Sequence, residues 1–400
     1  MWLVAGLLSI GEAQRLILGR ARTLPAEPVP IGAAAGRVLA QAARAAVDLP
    51  PFPSSAMDGF AVRAADTPGR LPVVARIPAG APATASLEPG QAMGIATGGV
   101  VPAGADAVIP VEYVVEHDNE IEVQSPAEAG AHVRPRGGDI RAGEIVAEAG
   151  TSLTPARVGA LAAAGIAEVR CARRPRASVV PTGTELRRPG ETLDRGQVYE
   201  ANGLILSAQL RAGGAEVDVA AAVGDDESAH RAALERALAA DLVVTSGGVS
   251  VGPHDLVRRV EAQLGVEEVF WRVAVKPGKP ISFGVRDGTL VFGLPGNPVS
   301  ALVGFELFVA PALRALQGAR DPLPRYERGR LDGARSRNPQ RDELVRARLR
   351  SSEVGPVLEP LSGQESHMIA RAADADALVL VPRGEGELED GAQVEYLLLG

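Results

Sequence analysis

Lys276 and Lys279 are the only lysines among the 41 basic residues of the chain. They stand three residues apart in "VAVKPGKPISFG" (residues 273–284), and each is followed by proline. Lysine is a compact point charge with three donors, whereas arginine is a wide planar fork. Pro277 and Pro280 fix φ, and Gly278 permits a close turn. A stiff loop presenting two small cations is therefore expected to meet anionic oxygens.

Three glycine-rich segments each follow a strand-like run. "ASVVP" leads to "TGTELRRPG", "DLVVT" to "SGGVSVG", and "TLVFG" to "LPGNPVS". In an open α/β sheet the carboxyl ends of parallel strands share one edge, where ligands bind. Loop amides and the following helix N-termini suit phosphate. The candidates there are Gly183, Ser246, Gly247, Gly248, Ser250, Pro295, Gly296, Asn297 and Pro298. A tight βα turn is the alternative for any one loop alone. There is neither GxxxxGK[ST] nor GxGxxG, so neither an ordinary NTPase nor a dinucleotide fold is indicated. Glu185, Asp225, Asp226 and Asp255 fall in or beside these loops. Clustered carboxylates next to phosphate loops are what Mg²⁺ requires, although Asp226 reads equally as a helix N-cap.

Three further motifs precede them. "PPFPSSAMDGFAV" is a rigid loop presenting Ser54, Ser55 and Asp58. "IATGGVVPAGADAVIPVE" carries Thr97 before a strand, and "RPRGGDI" sets Arg134, Arg136 and Asp139 around a turn. Turns of a small β domain are the competing reading.

The elements that position these residues follow from pattern and composition. "SIGE" is a capping box, Ser9 to Glu12, opening an amphipathic helix. Residues 46–140 are Gly/Pro-rich with short alternating runs, a small β-rich domain. Residues 176–318 alternate strand and helix, the mark of a mostly parallel sheet covered on both faces in three α/β/α layers. Residues 326–400 read as an all-β domain. A chain of 400 residues is long enough for several such cores. The net charge of −8 and 3% aromatic content argue against nucleic acid. The single cysteine, Cys171, excludes an internal disulfide and a multi-thiolate metal site. Apolar stretches are interrupted, so no membrane span and a cytoplasmic location are expected.

Together, "PFPSSAMDGFAV", "ATGGVVPAGADAVIPVE", "RPRGGDIRAGE", "PTGTEL", "SGGVSVGPHDLV", "VKPGKPISFG" and "VFGLPGNPVSALVGFE" resemble the molybdopterin molybdotransferases. This is the MoeA family, to which the E domain of gephyrin is similar. The order and spacing match along essentially the whole chain. The resemblance implies Mg²⁺-dependent insertion of molybdenum from molybdate into adenylylated molybdopterin, with release of AMP. It implies that Asp58, Thr97 and Asp139 serve the active cleft from the second domain. Glu185, Asp225 and Asp255 would position Mg²⁺ or phosphate, and Lys276 and Lys279 would hold anionic oxygens. Pro295 and Pro298 would shape their loop, and Arg346 and Ser366 would line the cleft from the last domain. It also implies a homodimer, and a first domain made of two segments, 9–45 and 141–175. Three positions depart from the family: Thr184 where Asp is frequent, Pro253 where a polar residue is, and Ala201 where serine is usual. The alternatives are a molybdopterin adenylyltransferase, which lacks the flanking domains, and a non-catalytic pterin-binding scaffold.

Overall fold

The computed structural model describes residues 7–248, 256–353 and 355–399. Ser250 and Asp255, with Pro253 and His254, lie outside the described residues.

The first helix, α1 (Ile10–Leu18), begins with the expected capping box: Ser9 N donates to Glu12 Oε2 at 2.8 Å, and Glu12 N to Ser9 Oγ at 3.3 Å. Ile10, Ala13, Gln14 and Ile17 are buried, the i, i+3, i+4, i+7 stripe of an amphipathic helix. That stripe packs into the central unit and not with the segment that follows it. Residues 26–45 instead join 145–172. Ala26–Pro30 pairs antiparallel with Glu168–Ala172, Ala43–Arg44 with Ile145–Ala147, and Leu39, Leu153, Leu161 and Cys171 share one core. Between these segments, residues 59–123 build a six-stranded sheet with its own apolar interior around Phe60, Leu71 and Ile121.

The central unit contains β1 (Arg176–Pro181), α2 (Asn202–Ala212), β2 (Glu216–Val219), α3 (Glu227–Ala237) and β3 (Leu242–Ser246). It continues with α4 (Leu256–Gln263), β4 (Glu267–Trp271), the two-residue β5 (Val275–Lys276), β6 (Ser282–Arg286) and β7 (Thr289–Leu294). The sheet order is β2-β1-β3-β7-β6-β4. The first four strands are parallel, and β6 and β4 add as an antiparallel edge. Alternate residues serve opposite faces. Val179, Val244 and Phe292 share one core with residues of α1 and α2, whereas Val180, Val243 and Val291 share another with residues of α3.

After β7 a continuous helical stretch runs through α5 (Pro298–Gly304), a π-helical turn (Phe305–Val309) and α6 (Ala310–Leu316). Pro311 has no N–H for the carbonyl of Leu307, four residues back, which favours such a local rearrangement. The Leu307 carbonyl instead accepts from Gln14 Nε2 of α1 at 2.9 Å. Pro298–Leu316 is long and apolar enough, by length and composition alone, to span a membrane, but most of it is buried in the core.

The last module is a closed barrel. Its strands β8 (Glu327–Leu331), β9 (Asp342–Ser352), β10 (Gly355–Pro360), β11 (Ala377–Val381) and β12 (Gln393–Leu398) pair in the cycle β9-β10-β8-β12-β11-β9. Closure removes free edges. Leu331, Val345, Leu358, Val379 and Tyr396 fill the interior. β5 joins this barrel, pairing parallel with β9 at Val275↔Asp342 and Lys276↔Glu343. The run "EEVFWRVAV", which by its apolar pattern reads from sequence as a single strand of the central unit, is therefore not one strand. It breaks at Arg272, whose φ is +77°.

Candidate functional site

The carboxyl ends of β1, β3 and β7 share one edge, as their loops predicted. There they floor a cleft of about 820 Å³. Gly183, Glu185, Asp225, Ser246, Gly247, Gly248, Pro295, Gly296, Asn297 and Pro298 all line it.

Two of the loop glycines have amides already engaged by protein acceptors. Gly183 N donates to Val223 O at 2.9 Å, and Gly247 N to Leu294 O at 3.0 Å. These amides tie neighbouring loops together, so they are not free for an anion. Gly247 has φ +94°, and a Cβ there would stand 2.6 Å from the Thr182 carbonyl oxygen. Only glycine fits that turn.

Asn202 draws the loops together from the start of α2. Its Nδ2 donates to Ser246 Oγ at 2.7 Å and to Gly296 O at 2.8 Å. Asn297 Nδ2 in turn reaches Ser366 Oγ at 2.7 Å, and Val299 N donates to Ser366 O at 3.1 Å. Ser366 thus fastens the barrel to the loop after β7. Arg346 is 2% exposed and directed at backbone. Its guanidinium donates to the carbonyls of Gly363, Glu365 and Met368 and to Gln364 Oε1. It shapes the loop carrying Ser366 and His367, and Arg346 is not among the described residues that line the cleft.

The acids divide. Glu185 and Asp225 are exposed within the cleft, and Thr184 Oγ1 lies 3.4 Å from Asp225 Oδ2. Asp226 is an N-cap: it accepts from Ala229 N at 2.7 Å and Ser228 Oγ at 2.5 Å. Those bonds, the serine hydroxyl first, hold its carboxyl below the usual aspartate range.

The two lysines divide as well. Lys276 Nζ lies 3.2 Å from Glu343 Oε1, a buried carboxylate that Arg335 also approaches at 3.2 Å. Lys279 is exposed and has no side-chain partner among the described residues. Neither lysine lines the cleft, but Pro280 does.

Asp58, Thr97 and Asp139 stand apart from these groups. Among the described residues lining the cleft, none comes from 46–140. Asp58 Oδ1 accepts from Thr97 N at 2.6 Å and from Thr97 Oγ1 at 3.0 Å. The backbone bond first, then the hydroxyl, lowers the Asp58 pKa. Asp139 is exposed on the turn after Gly137.

Residues 8–165 match the MoeA N-terminal region (domain I and II), 178–315 the "Probable molybdopterin binding domain", and 328–399 the MoeA C-terminal region (domain IV). The chain is 38% identical to molybdopterin molybdenumtransferase 2 of Mycobacterium tuberculosis, over 97% of this chain and 98% of that one. The chain belongs to the MoeA family. The molybdopterin molybdenumtransferase of Staphylococcus aureus is 29% identical over 98% of this chain and 95% of that protein. The MoeA protein of Pyrococcus horikoshii has a solved structure that superposes with a TM-score of 0.84 at 29% identity, covering 98% of this chain and all of that one.

Within this MoeA architecture, sequence reasoning missed Asn202, His230 and His367, which also line the cleft. Asn202 sits at a helix start, where asparagine reads as a cap. His230 is 2% exposed, with Nδ1 2.9 Å from Asp226 O. His367 reaches the cleft only through the barrel loop. The Thr184 departure has a local consequence: its hydroxyl can donate to Asp225, where an aspartate would repel it.

Proposed function

We propose that this protein inserts molybdenum from molybdate into the dithiolene of adenylylated molybdopterin and releases AMP. The observation that carries the reading is the cleft itself. Three glycine-bearing loops are tied into one floor, with Glu185 and Asp225 exposed within it and the Thr184 hydroxyl 3.4 Å from Asp225 Oδ2. Its volume of about 820 Å³, with two carboxylates and three glycine-bearing loops in its lining, can take a phosphoanhydride-linked substrate. The loops orient that substrate, and the barrel loop through Ser366 and His367 bounds one side.

Mg²⁺ is the metal we assign. Glu185 and Asp225 supply hard oxygen donors only. Two carboxylates completed by waters and a substrate phosphate are the usual surroundings of this ion. When bound, the ion would neutralise the phosphoanhydride. The two carboxylates would hold it against the loop after β1.

We also assign a homodimer in which the 46–140 domain of one copy completes the cleft of the other. The support is that Asp58, Thr97 and Asp139 do not reach the cleft of their own chain. A cytoplasmic location is in keeping with one buried, unpaired cysteine. A molybdopterin adenylyltransferase is the expected supplier of substrate.

The test is turnover with adenylylated molybdopterin, molybdate and Mg²⁺. Molybdenum transfer with stoichiometric AMP supports the proposal. Adenylylation of free molybdopterin would identify an adenylyltransferase, and pterin binding without turnover a scaffold.

A further inference from the structure

Several polar groups of the cleft are spent on one another. Thr182 Oγ1 donates to Ser246 O at 3.1 Å, Asn202 Nδ2 to Ser246 Oγ and Gly296 O, and Gly203 N to Glu200 Oε1 at 2.6 Å. His230 lines the same cleft with only one ring nitrogen in use.

Its place follows from the fold. Asp226 caps α3, so His230 falls on the first turn of that helix, at the carboxyl edge of the sheet. The loop before the helix is bound to the loop after β1. Thr182 pairs with Val223 in a parallel bridge, and Gly183 N donates to Val223 O at 2.9 Å. His230 and Asp225 therefore stand at the β2–β1 end of the edge, whereas the lysine loop joins β4 to β6 at the opposite end of the sheet. The other buried residues of α3 are Ala233, Leu234 and Ala237, all apolar. An aliphatic side chain would serve that packing as well as an imidazole does.

The backbone contact sets the chemistry of the ring. Nδ1 lies 2.9 Å from the Asp226 carbonyl oxygen, which can only accept. Nδ1 therefore carries the hydrogen, and Nε2 of the neutral ring is left as an acceptor. Nε2 has no partner among the described residues. A histidine kept for packing alone normally finds partners for both nitrogens, because a buried acceptor left unmatched costs stability. Nε2 is not sealed in, however. The enclosed side-chain polar atoms without a partner among the described residues include Gln209 Oε1 but not this nitrogen. His230 is 2% exposed, and the surface it keeps is at the cleft. A ring held in one tautomer, with an open acceptor in the wall of a ligand cleft, suits recognition of a hydrogen-bond donor.

We propose that His230 is a substrate-binding residue whose Nε2 accepts a hydrogen bond from an uncharged N–H or O–H group of the adenylylated pterin. The donor belongs to the nucleoside half, as a ribose hydroxyl or the adenine amine, or to the pterin ring. This rests on the molybdenum-transfer reading. Calorimetric titration of the full-length protein with two probes, AMP and molybdopterin, tests it. A wild-type protein that binds neither probe would sink the transfer reading and this proposal with it, whereas the variants address His230 alone. His230→Asn keeps a donor for the Asp226 carbonyl and removes the distal acceptor. Affinity for one probe should fall by about three- to tenfold, with the melting temperature unchanged. A loss confined to AMP places the donor on the nucleoside, and a loss confined to molybdopterin places it on the pterin. His230→Gln can set an amide oxygen where Nε2 stood and should recover part of the loss, which a packing role would not predict. Independently of any variant, the nitrogen NMR resonance of Nε2 in the wild-type protein should move when the same probe binds. Wild-type affinities for both probes in His230→Asn, or an Nε2 resonance that neither probe shifts, would overturn the proposal.

Discussion

Lys276 and Glu343 meet at 3.2 Å although they belong to different modules. The ammonium is 44% exposed and the carboxylate side chain 7%. Glu343 is held inside the protein by Lys276 from the central unit and Arg335 from its own barrel. The pair coincides with the β5–β9 register, so backbone and charge dock the barrel at one point.

This separates the two lysines experimentally. Lys276→Ala should lower stability by about 1–2 kcal/mol, discounted for the exposure of the ammonium, because a buried carboxylate loses one of two cations. Lys276→Arg should recover most of it. Lys279→Ala should unfold like wild type, yet slow transfer by about ten- to a hundredfold. Thermal melts beside turnover decide this. Equal melting temperatures for Lys276→Ala and wild type would refute the docking role.

Arg346→Lys should be poorly tolerated. One ammonium cannot reproduce the fork that reaches three carbonyls and an amide oxygen. Stranded buried acceptors should cost on the order of 3 kcal/mol. Urea unfolding should show a lower midpoint, and limited proteolysis should cut faster within 361–368. Unchanged cutting there would show that the loop holds without Arg346.

The dimer assignment predicts complementation. Asp58→Asn and Lys279→Ala proteins should each be weak alone. Mixed, unfolded and refolded together, they should regain activity, because a mixed dimer places both lesions in one cleft and leaves the other intact. Activity that stays at the average of the two parents would reject a shared cleft.

Glu306, in the π-helical turn, gives a pH dependence. Burial pushes its carboxyl above the ordinary value of 4.5, opposed by the Gln209 hydrogen bond and by the Arg314 charge. Gln209 Nε2 donates to Glu306 Oε1 at 2.8 Å, whereas Gln209 Oε1 is buried without a partner among the described residues. A protonated Glu306 brings a donor beside it. The folded state then binds a proton that the unfolded chain has released. Stability should therefore fall as pH rises from about 4.5 towards the folded-state pKa. Glu306→Gln should flatten that slope. Superimposable stability profiles for the two proteins, from pH 4 to 9, would show that Glu306 is not held protonated.

What could be read from sequence was local. The capping box at Ser9 and Glu12, the three strand-to-glycine turns and the apolar runs of the barrel all have short-range signals. What escaped depends on distant partners. "EEVFWRVAV" looks like one strand because nothing nearby announces that Val275 and Lys276 pair with residues 342 and 343. Arg346 stands in an alternating run, but residues 343–347 are all buried because the barrel covers one side and the central unit the other. The glycine loops were found, but the acceptors for their amides come from other strands. Asn202 carries an ordinary cap signature, and only the folded loops reveal its two acceptors.

The bond from Gln14 to Leu307 links residues 293 positions apart. A ribosome adding 5–20 residues per second makes α1 wait roughly 15 to 60 s for the helix that covers it. During that interval Ile10, Ala13 and Ile17 present an apolar stripe with no partner yet synthesised. The central unit cannot close until translation has passed residue 316, after the two modules encoded between have had time to fold. The nascent chain therefore carries this apolar stripe uncovered until the later helix has been made. Fast synthesis shortens the interval in which that stripe stands uncovered.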